Sequence, residues 1–202
     1  MRKILIANRG ECALRLQKTL SAMGYQCVML FSEEDHASKH CSVGNQAYSL
    51  GSGPSSETYL NQEIIFEIAK LSGCFGIHPG YGFLAENSSF AHECEKAGLL
   101  WIGPSPKLIQ LFGDKIAARN AMKLRGVPIL PGSMEPIKNI DSIQDLVAQF
   151  QGPALLKAAG GGGGKGMRIV RDPRLLEESF TQCSSESLKS FGDPRVFVER
   201  YV

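Results

Sequence analysis

Apolar and polar positions along this chain follow two different patterns, one on each side of residue 113. In the first part, short apolar runs alternate with longer amphipathic stretches. Residues 3–7, K-I-L-I-A, form an apolar run of the kind buried in a parallel sheet. Residues 11–23 place Ala13, Leu16 and Leu20 on one face and turn Arg15 and Lys18 away, which predicts an amphipathic helix ended by Gly24. Gln26–Phe31 reads as a second strand, so the chain opens as a β-α-β unit with a right-handed crossover. The same pattern predicts strands at residues 47–50, 74–77 and 99–102. It predicts helices at residues 59–71, with Ile64, Ile65 and Ile68 inward, and at 88–97 and 105–112. Residues 51–56 have loop composition.

After Gly113 the period changes. Asp114 is placed to cap a helix running to Leu124. Residues 126–132, G-V-P-I-L-P-G, form an extended Pro/Gly segment. A helix is expected over 141–151, strands over 153–157 and 167–170, a helix over 175–190 and a last strand over 195–202. The expected fold class is α/β, with one domain over residues 1–112 and a second over 113–202.

Between the two strands of the second part lies K-A-A-G-G-G-G-G-K-G-M, residues 157–167. Each glycine costs roughly 0.5–1 kcal/mol against alanine when ordered in a regular element. Such a run therefore serves something other than a helix or strand. Unobstructed backbone N–H groups suit phosphate oxygens, and Lys157 and Lys165 bracket them with positive charge. The competing reading is a flexible linker, but linkers mix in serine and do not sit between apolar runs. A Walker A loop is excluded: Ala159 stands where its first glycine should be, Gly166 stands where its hydroxyl should be, and a strand follows. A protein-kinase loop lacks its H-R-D and D-F-G partners here. What remains is a glycine flap on a β-hairpin, closing over a triphosphate.

Two other stretches invite chemistry. Gly10 stands alone in the first turn, without G-x-G-x-x-G, which weighs against NAD. Residues 32–41, S-E-E-D-H-A-S-K-H-C, bring His36, His40 and Cys41 close in sequence. A metal site is one reading; a solvated helical turn with incidental histidines is the favoured one. H-P-G-Y-G-F-L-A-E-N at residues 78–87 follows a strand, where open α/β sheets place ligands.

Composition narrows this picture. The chain has 202 residues, 43% hydrophobic and 21% charged, ordinary for a globular protein. A net charge of +2 argues for neither nucleic acid nor a membrane surface. No apolar run approaches the ~18–20 residues of a membrane span. The six cysteines form no C-x-x-C pair. With no signal or transit peptide at the start, scattered thiols in the reducing cytoplasm are expected.

Four motifs in order carry a family resemblance: I-A-N-R-G-E at residues 6–11, I-H-P-G-Y-G-F-L-A-E-N at 77–87, G-D-K at 113–115, and the glycine run at 157–167. The chain resembles the biotin carboxylases, the ATP-grasp subunits or domains of biotin-dependent carboxylases, and looks most similar to those of acyl-CoA carboxylases. It departs from them at Gly44-Asn45-Gln46, where A-D-E is usual, and at Ala85, where serine is usual. The resemblance implies a Rossmann-like preATP-grasp domain followed by the first part of an ATP-grasp domain. It implies a ligase that forms carboxyphosphate from ATP and bicarbonate and passes carbon dioxide to N1 of biotin on a carrier, with Mg2+ bridging the phosphates. By position, Lys115 and Lys157 look like lysines that reach ATP phosphates, and Gly163 and Gly164 like flap residues. Met167 looks like an adenine-packing residue. Glu199, Arg200, Tyr201 and Val202 look like the adenine hinge, with the Glu199 carboxylate accepting from the exocyclic amine. Tyr81 and Gly82 look like positions near the biotin ring. The implied partners are the biotin carboxyl carrier protein, a carboxyltransferase subunit and a second copy of the chain. In this family the magnesium carboxylates and the bicarbonate base lie beyond residue 202, so the chain alone is expected to lack turnover. A non-catalytic nucleotide-binding or dimerisation module of the same descent is the alternative.

Overall fold

The computed structural model describes residues 1–161 and 164–202. These divide into two compact units, Met1–Gln110 and Leu111–Val202.

In the first unit, β1 (Lys3–Ile6), β2 (Gln26–Phe31), β3 (Gln46–Ser49), β4 (Gly76–His78) and β5 (Leu100–Trp101) form a parallel sheet in the order β3-β2-β1-β4-β5. The strands are connected through α1 (Gly10–Ala22), α2 (His40–Val43), α3 (Gln62–Leu71) and α4 (Ser88–Lys96). Parallel strands covered on both faces read as continuous apolar runs, and β1 and β2 are almost wholly buried. One face packs Leu5, Val28, Leu30 and Ile77 against Ile65, Ile68, Phe90 and Ala91 of α3 and α4. The other packs Ile4, Ile6, Cys27 and Met29 against Ala13 and Leu20 of α1. The strand order reverses direction between β1 and β4, so the loops that leave these two strands flank a switch-point crevice.

Helix α3 begins later than its apolar pattern suggests. Asn61 caps it, accepting from the Ile64 N–H at 3.3 Å, and Tyr59 is drawn instead into a buried polar network. Residues 32–41 also depart from expectation, because they are not simply a solvated turn. Asp35 and His40 are buried. Arg9 Nε and Nη2 donate to the two oxygens of Asp35, and the Tyr59 hydroxyl donates to Oδ2 at 2.7 Å while accepting from the Ser32 N–H at 3.0 Å. The Arg9 guanidinium holds the Asp35 carboxyl below the usual carboxylate range. Burial, with help from Asp35, pushes the Tyr59 phenol up to about 12. A polar-looking segment is thus pulled inward by partners distant in sequence.

Helix α5 (Pro106–Gly113) runs from the first unit into the start of the second, which continues with α6 (Lys115–Leu124) and α7 (Asp141–Ala148). Asp114 caps α6, accepting from the N–H groups of Ile116 and Ala117 at 2.9 Å each. β6 (Ala154–Ala158), β7 (Met167–Val170) and β8 (Val196–Arg200) form an antiparallel sheet in the order β7-β6-β8, with α8 (Leu176–Phe191) between β7 and β8 in sequence. Ala154, Leu156, Val196 and Val198 point to one face and meet Ile143 and Val147 of α7 and Leu176 and Cys183 of α8. Phe197 and Ala159 point to the other and meet Ile116 of α6. The alternation of a strand therefore puts Lys157 and Glu199 on the α6 side.

Candidate nucleotide site

Lys157 leads out of β6 toward the glycine run, and in register it lies opposite Met167 on β7 and Phe197 on β8. Its Nζ donates to Glu199 Oε1 at 2.5 Å. The other oxygen, Oε2, accepts from Arg119 Nη1 at 3.0 Å. Glu199 is only 5% exposed. A buried carboxylate is tolerated when charged donors meet it, and here both oxygens are so met. The carboxylate expected to face an exocyclic amine is thus engaged with two cations.

Arg119 is a residue the sequence pattern did not single out. It lies in α6, its Nη2 donates to the Leu130 carbonyl at 2.8 Å, and its guanidinium stands 5.5 Å from the centroid of the Phe197 ring. On sequence it reads as one more polar position of an amphipathic helix. Its partner Glu199 is 80 residues away.

Lys115, the first residue of α6, meets the near end of the same glycine run. Its backbone N–H donates to the Ala159 carbonyl at 2.9 Å. Its Nζ donates to the carbonyls of Gly160 at 3.1 Å and Gly161 at 2.5 Å. Lys115 thus contacts residues 159–161, while Lys157 precedes them on β6. Gly163 lies outside the described residues. Gly164 begins the return of the chain toward β7, and Met167, the first residue of β7, is 39% exposed on the sheet.

The far edge of β8 is partly occupied. The Ser133 N–H donates to the Val198 carbonyl and the Arg200 N–H to the Pro131 carbonyl, each at 2.8 Å. The extended segment 126–132 thus ends by pairing with β8, with a bridge between Gly132 and Glu199. By the alternation of the strand, the next backbone group on that edge is the Arg200 carbonyl, at the end of β8. Tyr201 turns the other way, its N–H donating to the Pro153 carbonyl at 3.0 Å, and Arg171 stands over its ring. Val202 is exposed.

Tyr81 and Gly82 belong to the first unit, in the loop that follows β4. The buried Asn8 side chain, at the end of β1, donates to the carbonyls of Pro79 and Tyr81 at 2.8 Å each. The His78 ring accepts from the Gly80 N–H at 3.1 Å, and burial pushes its pKa below the usual histidine value. The exposed Tyr81 hydroxyl donates to Glu11. These bonds fix the loop across the switch-point crevice. His36 and His40 are not brought together as ligands: the His36 ring bonds the Glu33 carbonyl and the His40 ring the Leu30 carbonyl. Among the described residues no group of three or more His, Cys, Asp or Glu side chains could hold a metal ion, and no helix is long and apolar enough to cross a membrane.

Known proteins share both units. Residues 1–109 match the family biotin carboxylase, N-terminal domain, and residues 114–202 match the carbamoyl-phosphate synthase L chain, ATP binding domain. The biotin carboxylase of Haemophilus influenzae is 40% identical over 203 residues, covering all of this chain and 45% of the relative. The biotin carboxylase-beta-gamma-ATP complex from Campylobacter jejuni superposes with a TM-score of 0.94 at 38% identity, over the whole chain and 45% of that structure. The biotin carboxylase domain dimer of the Hydrogenobacter thermophilus 2-oxoglutarate carboxylase, in complex with MgADP, ADP and bicarbonate, gives 0.92 at 40% identity, over 44% of its length. The chain spans less than half the length of these relatives. Its α/β architecture is theirs: a parallel-sheet N-terminal domain and the first part of an ATP-grasp domain. The match over residues 1–109 takes in more than half of the chain, which therefore belongs to the biotin carboxylase family.

Proposed function

We propose that this chain is the N-terminal part of a biotin carboxylase and supplies one side of its ATP site. Residues 1–112 are the preATP-grasp domain and residues 113–202 carry the nucleotide-binding hairpin. The observation that carries this reading is that the Lys115 ammonium meets the Gly160 and Gly161 carbonyls while Lys157, bonded to Glu199, stands on the strand that enters the same glycine run. Two lysines flanking a glycine-rich loop suit a polyphosphate. The Arg200 carbonyl at the end of β8 and the Val202 N–H just beyond it supply the acceptor and donor that read the amine edge of adenine. Met167 offers an apolar surface to the ring. Gly163 and Gly164 contribute backbone to the phosphates. Tyr81 and Gly82, in the switch-point loop of the first unit, lie toward biotin.

The reaction assigned to the whole enzyme is ATP-dependent carboxylation of carrier-bound biotin by bicarbonate. Among the described residues no group of three or more His, Cys, Asp or Glu side chains is suited to magnesium. The partners are a biotin carboxyl carrier protein, a carboxyltransferase subunit and a second copy of the chain, in the cytoplasm. Titration calorimetry with a non-hydrolysable ATP analogue tests the nucleotide site. Binding by the parent chain and its loss in Lys157→Ala are expected. Equal binding by both would refute the assignment of Lys157.

A further inference from the structure

The Glu199 carboxylate is shared by two cations of unequal freedom. Arg119 is 11% exposed at its side chain and Lys157 25%. Arg119 is fixed from three sides, by Glu199, by the Leu130 carbonyl and by the Phe197 ring. Lys157 has a flexible four-carbon stem, and its ammonium bonds only Glu199 among the described residues. A single lysine would balance a single glutamate. With Arg119 added, the network carries one positive charge in excess, next to the stem of the glycine run.

This arrangement solves a problem that a lone Lys157–Glu199 pair would create. Drawing the ammonium toward a phosphate would abandon a buried carboxylate, which is strongly unfavourable. A guanidinium stays charged and holds a planar fork of donors in place. Resting on the nucleotide reading above, we infer that Arg119 is a positioning residue that retains Glu199 while Lys157 exchanges the carboxylate for a ligand phosphate. The excess charge then serves the incoming anion, and the carboxylate is never left without a cation.

Calorimetry on the 202-residue chain tests this with ATP, inorganic tripolyphosphate and adenosine as probes. Arg119→Met is expected to weaken ATP and tripolyphosphate roughly tenfold or more, by the usual loss when one charge of a partly buried pair is removed, and to leave adenosine unchanged. Arg119→Met/Glu199→Gln should recover most of the tripolyphosphate affinity, because an amide needs no cation. Should Arg119→Met fail to fold, Glu199→Gln alone decides the matter: with both cations released, it should bind tripolyphosphate more tightly than the parent. The inference is overturned by unchanged triphosphate affinity in a folded Arg119→Met, by equal losses for ATP and adenosine, by no recovery in the double variant, or by no gain in Glu199→Gln. A parent chain that binds neither ATP nor tripolyphosphate refutes the nucleotide reading itself, and the inference with it.

Discussion

Gly80 and Gly82 both have a positive φ, +69° and +68°, yet differ in what a side chain would meet. A β-carbon on Gly82 would enter open space. One on Gly80 would fall 2.5 Å from Cys12 Sγ and 2.7 Å from Asn8 Nδ2. Alanine at Gly80 incurs the positive-φ penalty of roughly 1–2 kcal/mol, and at Gly82, whose ψ of −165° puts it in a region essentially reserved for glycine, about 1–3 kcal/mol. Gly80→Ala adds overpacking, about 1–3 kcal/mol, because Asn8 cannot move aside without abandoning the Pro79 and Tyr81 carbonyls. The expected costs are therefore about 2–5 kcal/mol for Gly80→Ala and about 1–3 kcal/mol for Gly82→Ala. Trp101, the one tryptophan in the sequence, is buried in the first unit, so its fluorescence follows that unit's unfolding in urea. With a slope of about 1–3 kcal/mol per molar, the two midpoints should separate by roughly 1 M. Coincident midpoints would refute the claim that Asn8 pins this loop at close quarters.

Two further outcomes follow from the polar contacts. The Tyr59 phenol is raised from 10.0 to about 12, so its neutral form stabilises the fold. That contribution is complete below pH ~10 and is lost as pH rises from ~10 to ~12, on the order of 2 kcal/mol; Trp101 fluorescence across that range should show the loss, and Tyr59→Phe should abolish it. Asp114→Ala removes the cap of α6 and its ion pair with Arg195 and should cost about 1–2 kcal/mol, read as a lower thermal midpoint for the second unit by circular dichroism.

Local pattern carried much of the architecture, because parallel strands and amphipathic helices impose their periods over consecutive residues. The strands at β1, β2, β6 and β7, and the cap at Asp114, were legible for that reason. What was not legible depends on partners far apart in sequence. Asp35 and His40 look solvated in S-E-E-D-H-A-S-K-H-C until Arg9 and Tyr59 arrive. Arg119 looks like surface until β8 brings Glu199 beneath it. Segment 126–132 reads as extended, but its end has no visible partner until it pairs with the edge of β8. The motif residues Lys115, Lys157 and Glu199 were named from resemblance, while the pairing of Glu199 with Arg119 came only from the folded sheet.

The order β7-β6-β8 also has a bearing on synthesis. The central strand of the smaller sheet, β6, emerges from the ribosome well before β8, its neighbour on one side, with all of α8 made in between. The larger sheet is complete once Trp101 has emerged, so the first unit can fold early, as N-terminal domains do during translation. The second cannot cover Leu156 and Ala154 until Val196 and Val198 follow. Over that interval the nascent chain displays an apolar strand edge and a lysine whose carboxylate does not yet exist. A translational pause before β8 has emerged from the ribosome would prolong this exposed state and favour capture by chaperones, whereas a pause after its emergence would find the sheet already closed.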